Sequence, residues 1–250
     1  MIISKKKNFI FLKTAKTAGS SIEFYLSQFC GINDTITSLL PNEERLKKKY
    51  NLKIKQNYEF KKIKFTIKNF LKLSFLKKII LNDHSSLNIL ENKIKFPLND
   101  YYIFAFVRNP YHWIVSYFWW YLYHEKILDI KDLNKLTKKE INLLFKIFLK
   151  FQCVYWFTWM KDIIYSKKYR VNVYKYENLD KNIEKLKSNL SLKNEKIRFG
   201  EFHLKNLKIS SKIKQKLKLD KEDIKLIKNE AKYFFDKYNY SKKVPKIYSS

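Results

Sequence analysis

Short apolar runs alternate along the chain with segments whose apolar residues recur at helical spacing. Residues 8–12 (NFIFL) form one run, and residues 101–107 (YYIFAFV) form a second, as expected of a parallel strand covered on both faces. RVNVYKYENL, which begins at Arg170, predicts a third strand. Because a polar turn and a helical pattern follow the runs, we predict an α/β fold with three αβα layers around a central, mostly parallel sheet.

Helix starts are marked by capping residues. Ser20 followed by Glu23 has the spacing of a capping box, and it predicts a helix after the first strand. Asn109 and Pro110 have the residue types of an N-cap and a first helical position. They predict that the aromatic segment YHWIVSYFWWYLYH is a helix whose rings are mostly core.

Two later helices are predicted in the same way. Thr137 and Glu140 form a second capping-box pair, ahead of a helix that we expect to run to about residue 151. The last clear helix follows Asp220.

The size of the chain favours one domain over residues 1–250, because 46% hydrophobic residues suffice for one core and three Gly and four Pro leave few joints. Residues 42–82 are the uncertain part. Apolar side chains such as Phe65, Phe70 and Ile79 lie there among many lysines. This segment is either an insertion packed on the domain or a basic amphipathic helix on an anionic membrane surface.

The net charge of +30 points to a polyanionic partner such as nucleic acid or an acidic glycan. However, only four of the 53 cationic residues are arginines, and the many Lys, Ile and Asn residues are typical of A+T-rich coding. We therefore expect most lysines to be solvated, with no nucleic-acid partner and at most a weak contact with an anionic membrane. The scarcity of arginine makes each Arg more informative.

Compartment and metal use follow from two further features. Cys30 and Cys153 are too few for a disulfide framework and lack metal-ligand spacing, so no metal site is expected. The first residues have no run resembling a signal peptide, and no stretch reaches about 18 uncharged residues. We expect a cytoplasmic protein.

Candidate chemistry first arises at the turn between the first strand and its helix, KTAGSS. Gly19 permits close approach of a ligand to the backbone, while helix amides and hydroxyls can hold an anionic oxygen. The loop is not a Walker A motif, because the first Gly and the closing Gly-Lys-Ser/Thr order are missing. An ordinary capped helix is the alternative.

Arg108 is the second candidate. It follows the buried strand directly, where an unpaired charge is costly, so it needs an anion or a carboxylate partner. Ser116 follows it by eight positions. A structural salt bridge is the alternative.

Together these segments resemble a known family. TAKTAGSSIE and FAFVRNPYHWIVSYF are similar to the 5′-phosphosulfate loop and the 3′-phosphate motif of sulfotransferases, especially carbohydrate sulfotransferases and their bacterial relatives. Asp83-His84-Ser85-Ser86, YKYENL and the C-terminal KEDIKLIKNEAKYFFDKYNYS also resemble family segments. The chain departs from the family at Ala15, where Pro is usual, and residues 42–82 show no family pattern.

The resemblance implies a P-loop-like sulfotransferase fold and metal-free transfer of a sulfuryl group from 3′-phosphoadenosine 5′-phosphosulfate (PAPS), which leaves 3′-phosphoadenosine 5′-phosphate (PAP). Lys16 would stabilise the bridging oxygen, and Arg108 with Ser116 would hold the 3′-phosphate. The 5′-phosphate would be held by the amides and hydroxyls of the loop, namely Lys16, Thr17, Ala18, Gly19, Ser20 and Ser21.

The resemblance also implies an acceptor hydroxyl, which we expect on a carbohydrate, and a base that removes its proton. His84 is the best candidate because of its place in the DHSS segment, with His203 as the next. Three other functions stay open: a nucleotide-dependent phosphotransferase, a basic protein that binds polyanions or nucleic acid without catalysis, and a family member that binds nucleotide without turnover.

Overall fold

The computed structural model describes residues 1–63, 76–94, 96–201, 204 and 209–249. The fold is mixed α/β and about 50% helical, with a central, mostly parallel sheet of five strands, so the predicted fold class is confirmed at that level. Contacts divide the chain into a first unit, Met1–Val107 with Asp162–Leu204, and a second unit, Arg108–Lys161 with Lys205–Ser250. The single domain and the P-loop-like fold type stay predictions.

The central sheet lies in the first unit and has the order β3-β1-β2-β6-β7. Strands β2, β6 and β7 pair in parallel, while β1 runs antiparallel between β3 and β2. Strands β4 and β5 form a separate antiparallel pair. The strands are β1 (Ile2–Ser4), β2 (Phe9–Leu12), β3 (Thr35–Ile36), β4 (Glu59–Ile63), β5 (Leu76–Ile80), β6 (Tyr102–Val107) and β7 (Asn172–Lys175).

Helices follow the parallel strands, as the alternating pattern predicts. The described α-helices are α1 (Gly19–Leu26), α2 (Pro41–Lys49), α3 (Pro110–His124), α4 (Ile130–Leu133), α5 (Lys138–Ile164), α6 (Leu179–Asn189), α7 (Ser211–Lys216), α8 (Lys221–Glu230) and α9 (Lys232–Lys237). None of the described helices is long and apolar enough to cross a membrane.

Both faces of the central strands are buried. Side chains on a strand alternate between faces, so the aromatic rings of β2, β6 and β7 gather on one side beneath the apolar residues of α1 and α6. Residues on the opposite face, such as Ile10, Ile103 and Ala105, are buried as well. The nearly continuous apolar run of β6 is explained by this double burial.

In the second unit, aromatic contacts join α3 to α5. Trp113 lies 5.0 Å from Phe157, and Phe118 lies 5.1 Å from Phe145, between ring centroids. The prediction that the rings of this segment are mostly core is confirmed for Trp113 and Phe118. The Asn109 cap is also confirmed, because its side chain accepts hydrogen bonds from the first amides of α3.

Helix α5 is longer than predicted. Thr137 and Glu140 make both hydrogen bonds of the predicted capping box. The helix then runs to Ile164 instead of ending near residue 151. Buried apolar residues continue at helical spacing beyond residue 151, namely Cys153, Phe157, Met160 and Ile164.

The first predicted capping box is wrong. Helix α1 begins at Gly19, its N-cap is Ala18, and no side chain caps it. Glu23 is instead fully buried, with its carboxylate 2.9 Å from the α-amino group of Met1, 3.3 Å from Lys13 Nζ and 3.6 Å from Lys47 Nζ. These cations outweigh the effect of burial and lower the pKa of Glu23 to about 2.

The membrane-helix interpretation of residues 42–82 is wrong for the part that the structure describes. Helix α2 ends at Lys49, and β4 and β5 pair as antiparallel strands. The side chain of Lys47 is buried against Glu23, as expected of a packed insertion. Residues 64–75, which include Phe65, Phe70 and Phe75, lie outside the described residues.

We predict that Glu23→Gln destabilises the protein by about 3–5 kcal/mol, because it leaves the ammonium groups of Lys13 and Lys47 buried without their shared anion. Glu184, which is 68% exposed and pairs with Lys187, provides the control. Glu184→Gln should cost under about 1 kcal/mol. Urea unfolding of both variants measures the difference, and equal losses would contradict the structural role of Glu23.

Candidate active site

The connection between β2 and α1 has a backbone suited to an anion. Lys16 and Ala18 both have left-handed backbones, with φ of 57° and 60°, which is uncommon for residues other than glycine. Alternating right- and left-handed residues turn successive N–H groups into a concavity that attracts anions. The first turn of α1 contains no acidic side chain, so the positive end of the helix dipole is not offset within that turn.

Hydroxyl groups brace this loop from beneath. Thr14 donates a hydrogen bond to the carbonyl of Phe106 in β6, and its Oγ1 lies 2.8 Å from Oγ1 of Thr17. Thr17 is fully buried and lies within hydrogen-bond distance of the Thr14 carbonyl, at 3.1 Å. The hydroxyl of Thr17 therefore supports the loop. In the expected contact with a phosphate, Thr17 would act through its backbone N–H.

The two serines occupy different positions in the first turn of α1. Ser20 is buried, whereas Ser21 is half-buried and its Oγ accepts a hydrogen bond from the N–H of Leu204 at 3.3 Å. The Ser21 hydroxyl keeps its own proton to donate to an anion.

Beneath the loop, Lys13 is a buried cation between two carboxylates. Its Nζ lies 3.1 Å from Asp83 and 3.3 Å from Glu23. Burial alone would lower the pKa of Lys13, but these carboxylates raise it above the ordinary value, so the ammonium stays charged. The stem of Lys13 passes under Gly19, where an added Cβ would lie 2.7 Å from Lys13 Cγ and 3.2 Å from the Thr14 carbonyl oxygen. A side chain at position 19 would therefore collide with the loop's own support.

His84 is attached to the same support. Its Nδ1 lies 2.8 Å from the carbonyl oxygen of Lys13, and its Nε2 lies 3.4 Å from Oδ2 of Asp83. Because a carbonyl oxygen only accepts, Nδ1 carries the proton in this contact, and Nε2 of the neutral ring keeps a lone pair. Burial lowers the pKa of His84 to about 4, although Asp83 favours the charged ring. His84 is thus neutral near pH 7, with a carboxylate placed to stabilise a proton that arrives at Nε2.

In the second unit, Arg108 precedes α3 and Ser116 lies in its second turn, and both are half-buried. His112, between them, contacts the hydroxyl of Tyr248 through Nδ1 at 3.1 Å. Burial raises the pKa of Tyr248, while the charge of Arg108 acts in the opposite direction, so the guanidinium lies near this hydroxyl. His112 and Tyr248 thus add polar groups around Arg108 that the sequence did not single out. Tyr248 gives no sequence signal, because it lies in a three-residue 3-10 helix, Lys246–Tyr248, too short for a periodic pattern.

A polar cleft of about 570 Å³ opens in the first unit beside β7. One side is the strand itself, and the other is a row on and just before α6, Asn178, Asn182, Lys185 and Asn189, whose spacing places the four side chains on one helical face. Arg170, Lys175 and the hydroxyls of Tyr102 and Tyr174 complete its polar lining, and the described lining includes no carboxylate. The cleft can therefore take an anionic or polyhydroxylated ligand. The scarcity of Arg was the one signal that could have pointed to Arg170.

The structure brings together one part of the predicted site and leaves the other in the second unit. Residues 16–21 form a continuous loop and helix start, and His84 is fixed to the base of that loop through Lys13. Arg108 and Ser116 belong to the second unit. His203 lies outside the described residues. No described group of His, Cys, Asp and Glu side chains could hold a metal ion, and the metal-free mechanism stays a prediction.

Comparison of the chain with protein-family models, curated proteins and solved structures finds no match. The family resemblance accordingly stays a prediction that depends on the loop, the DHSS segment and the Arg108 motif.

We predict that Gly19→Ala destabilises the protein by about 1–3 kcal/mol, because Lys13 is held by two ion pairs and cannot move away from the added methyl group. Gly31→Ala is the control, since its added Cβ would meet only the flexible side chain of Lys6, at 3.3 Å. It should change stability by about 0.5 kcal/mol or less. Equal unfolding midpoints in urea for the two variants would show that Lys13 is not a fixed support.

Proposed function

We propose that this chain is a sulfotransferase that moves a sulfuryl group from PAPS to an acceptor hydroxyl on a carbohydrate. The observation that carries the proposal is the attachment of a neutral histidine, His84, to the base of an anion-binding loop that contains Lys16. An anion cradle and a base at one sheet edge are the parts that such a transfer requires from the protein.

The loop fits the 5′ end of this donor. The N–H groups of residues 16–21 and the hydroxyls of Ser20 and Ser21 would hold the 5′-phosphate, with the positive end of α1 adding to the attraction. Lys16 would stabilise the negative charge on the oxygen between phosphate and sulfate. When bound, PAPS supplies the sulfuryl group and accepts the electrons of the cleaved S–O bond at that oxygen.

His84 would take the proton of the acceptor hydroxyl at Nε2, as the acceptor oxygen forms its bond to sulfur. The carbonyl of Lys13 fixes the tautomer whose lone pair is on Nε2, and the carboxylate of Asp83 stabilises the imidazolium that results. A pKa near 4 keeps the ring neutral before reaction but makes it a weak base. The effect of Asp83 is already contained in this pKa, which burial would lower further without the carboxylate.

Arg108 and Ser116 keep their proposed role with the 3′-phosphate. A guanidinium offers paired N–H donors that suit a phosphate, and the hydroxyl of Tyr248 lies in the same neighbourhood. Because Arg108 and Ser116 would recognise the phosphate that distinguishes PAPS from adenosine 5′-phosphosulfate, discrimination between these nucleotides reports on these two residues.

The polar cleft beside β7 supports a carbohydrate acceptor. Parallel strands end at the same edge of a sheet, so the Lys175 end of the cleft lies at the edge from which the loop emerges, two strands and about 10 Å from β2. Its amides, hydroxyls and cations suit an acidic glycan. The phosphotransferase and nucleic-acid alternatives predict other ligands, namely ATP with Mg²⁺ or a nucleic acid bound in a salt-sensitive manner.

Removal of the Arg108 guanidinium should reduce discrimination between nucleotides. We expect Arg108→Ala to weaken PAP binding by about 2–4 kcal/mol, as for loss of a charge-assisted pair, and to leave the weaker binding of adenosine 5′-phosphosulfate nearly unchanged. Ser116→Ala should act in the same direction by less. Calorimetric titration in EDTA measures both affinities.

Two controls separate this role from a general effect of charge. Arg198→Ala removes an exposed arginine of the first unit and should change neither affinity. Lys16→Ala should slow transfer but preserve the preference for the 3′-phosphate. If Arg108→Ala weakens both nucleotides equally, Arg108 supports the fold or another part of the ligand.

Removal of the base should slow turnover without loss of the nucleotide. We expect His84→Ala to lower kcat by about 10² to 10⁴ and to leave PAP affinity nearly unchanged. In the wild type, the acid limb of kcat/KM should lie near pH 4, because His84 must be unprotonated and its pKa is lowered to about 4. His124→Ala, at an exposed histidine, should retain full activity. Normal turnover of His84→Ala would exclude His84 as the base.

A further inference from the structure

Helix α5 carries a line of large apolar side chains on its outer surface. Leu143 is 58% exposed, Ile147 48%, Phe151 70% and Val154 52%. Their spacing of four, four and three residues places them on one helical face, and the line is about 16 Å long at 1.5 Å per residue. We call these four residues the outer stripe.

The outer stripe is distinct from the face by which α5 packs. Phe145, Cys153 and Phe157 are buried and hold the helix in the second unit. Helix α5 thus has two apolar faces, one packed in the protein and the other, the outer stripe, exposed to solvent. Single exposed apolar residues are ordinary on protein surfaces, but a continuous row of four indicates a contact surface.

Charges beside the stripe indicate what it contacts. Lys150 is exposed, three residues after Ile147 and four before Val154, so it lies on the border of the stripe. Lys138 and Lys139 are exposed at its N-terminal end.

Glu140 is the nearby acidic residue, and its carboxylate is hydrogen-bonded to the backbone N–H and the hydroxyl of Thr137. The positive charge of Lys146 is offset by ion pairs with Asp220 and Glu222.

The net charge of the chain narrows the choice of partner. At +30, two copies of this chain repel each other, which opposes association through the stripe. An anionic lipid surface instead attracts the chain, and an apolar helix face bordered by lysines suits the boundary between headgroups and acyl chains. Phe151 and the 60% exposed Tyr155, one turn apart, are aromatic side chains of the kind that favours this boundary.

We propose that the outer stripe of α5 binds the surface of an anionic lipid bilayer, with Leu143, Ile147, Phe151 and Val154 inserted among the lipids and Lys150 against the headgroups. The contact is peripheral, because the opposite face of α5 is packed within the protein. The membrane contact that the sequence suggested for residues 42–82 is thereby assigned to a different element. This proposal does not depend on the enzymatic one.

Sedimentation of the full chain with unilamellar vesicles tests the proposal. Wild-type protein should bind vesicles containing about a third phosphatidylserine at least tenfold more strongly than pure phosphatidylcholine vesicles, and binding should fall as salt rises. Phe151→Ser should weaken binding to the anionic vesicles by about tenfold or more, because a large apolar side chain no longer inserts. Ile32→Ser, at a 75% exposed position of the first unit, is the matched control and should bind as the wild type does.

A charge pair of variants separates the stripe from a general attraction. Lys150→Glu and Lys48→Glu change the net charge equally, and both lysines are exposed. Lys150→Glu should weaken binding more than Lys48→Glu. Equal losses of vesicle binding in these two variants would overturn the proposal, as would equal binding of the wild type to both vesicle types. So would dimerisation in solution that Phe151→Ser abolishes, since the stripe would then be an interface between copies.

Discussion

The buried carboxylate of Glu23 fixes the position of the structures around it. It joins Lys13 at the end of β2 and Lys47 of α2 to helix α1. Because a charge in the protein interior is stable only with a nearby counter-charge, these elements cannot separate without a large cost. Lys13 in turn holds Asp83, and its carbonyl holds His84. The buried ion pairs of Lys13 thus fix both the loop and the candidate base, although Lys13 and His84 are 71 residues apart in the sequence.

These buried contacts explain how the loop keeps an unfavourable backbone conformation. Lys16 and Ala18 have left-handed conformations that cost free energy without glycine, and they persist because Thr14, Thr17 and Lys13 fix the loop from beneath. Close passage of the Lys13 stem requires that position 19 be glycine. A loop held in this way has its N–H groups oriented before a ligand arrives, so binding requires little reorganisation.

The sequence predicted local features well and long-range ones poorly. Apolar runs located β2, β6 and β7, and the capping residues of α3 and α5 were correct, because strand period and capping are set by neighbouring residues. Glu23 had capping spacing, but ion pairing with distant lysines prevailed. Tyr248 contacts His112 of α3 from a short 3-10 helix far along the chain. In α5, apolar residues on nearly every face concealed which of them are exposed.

Transfer of radioactive sulfur from PAPS tests the central claim most directly. The purified chain, in EDTA, is incubated with labelled PAPS and a panel of acidic and neutral polysaccharides, beside Lys16→Ala and His84→Ala. The proposed function predicts label on a polysaccharide with the wild type and a loss of about 10² or more with each variant. Label transferred equally by wild type and variants, or no transfer while ATP with Mg²⁺ binds tightly, would contradict it.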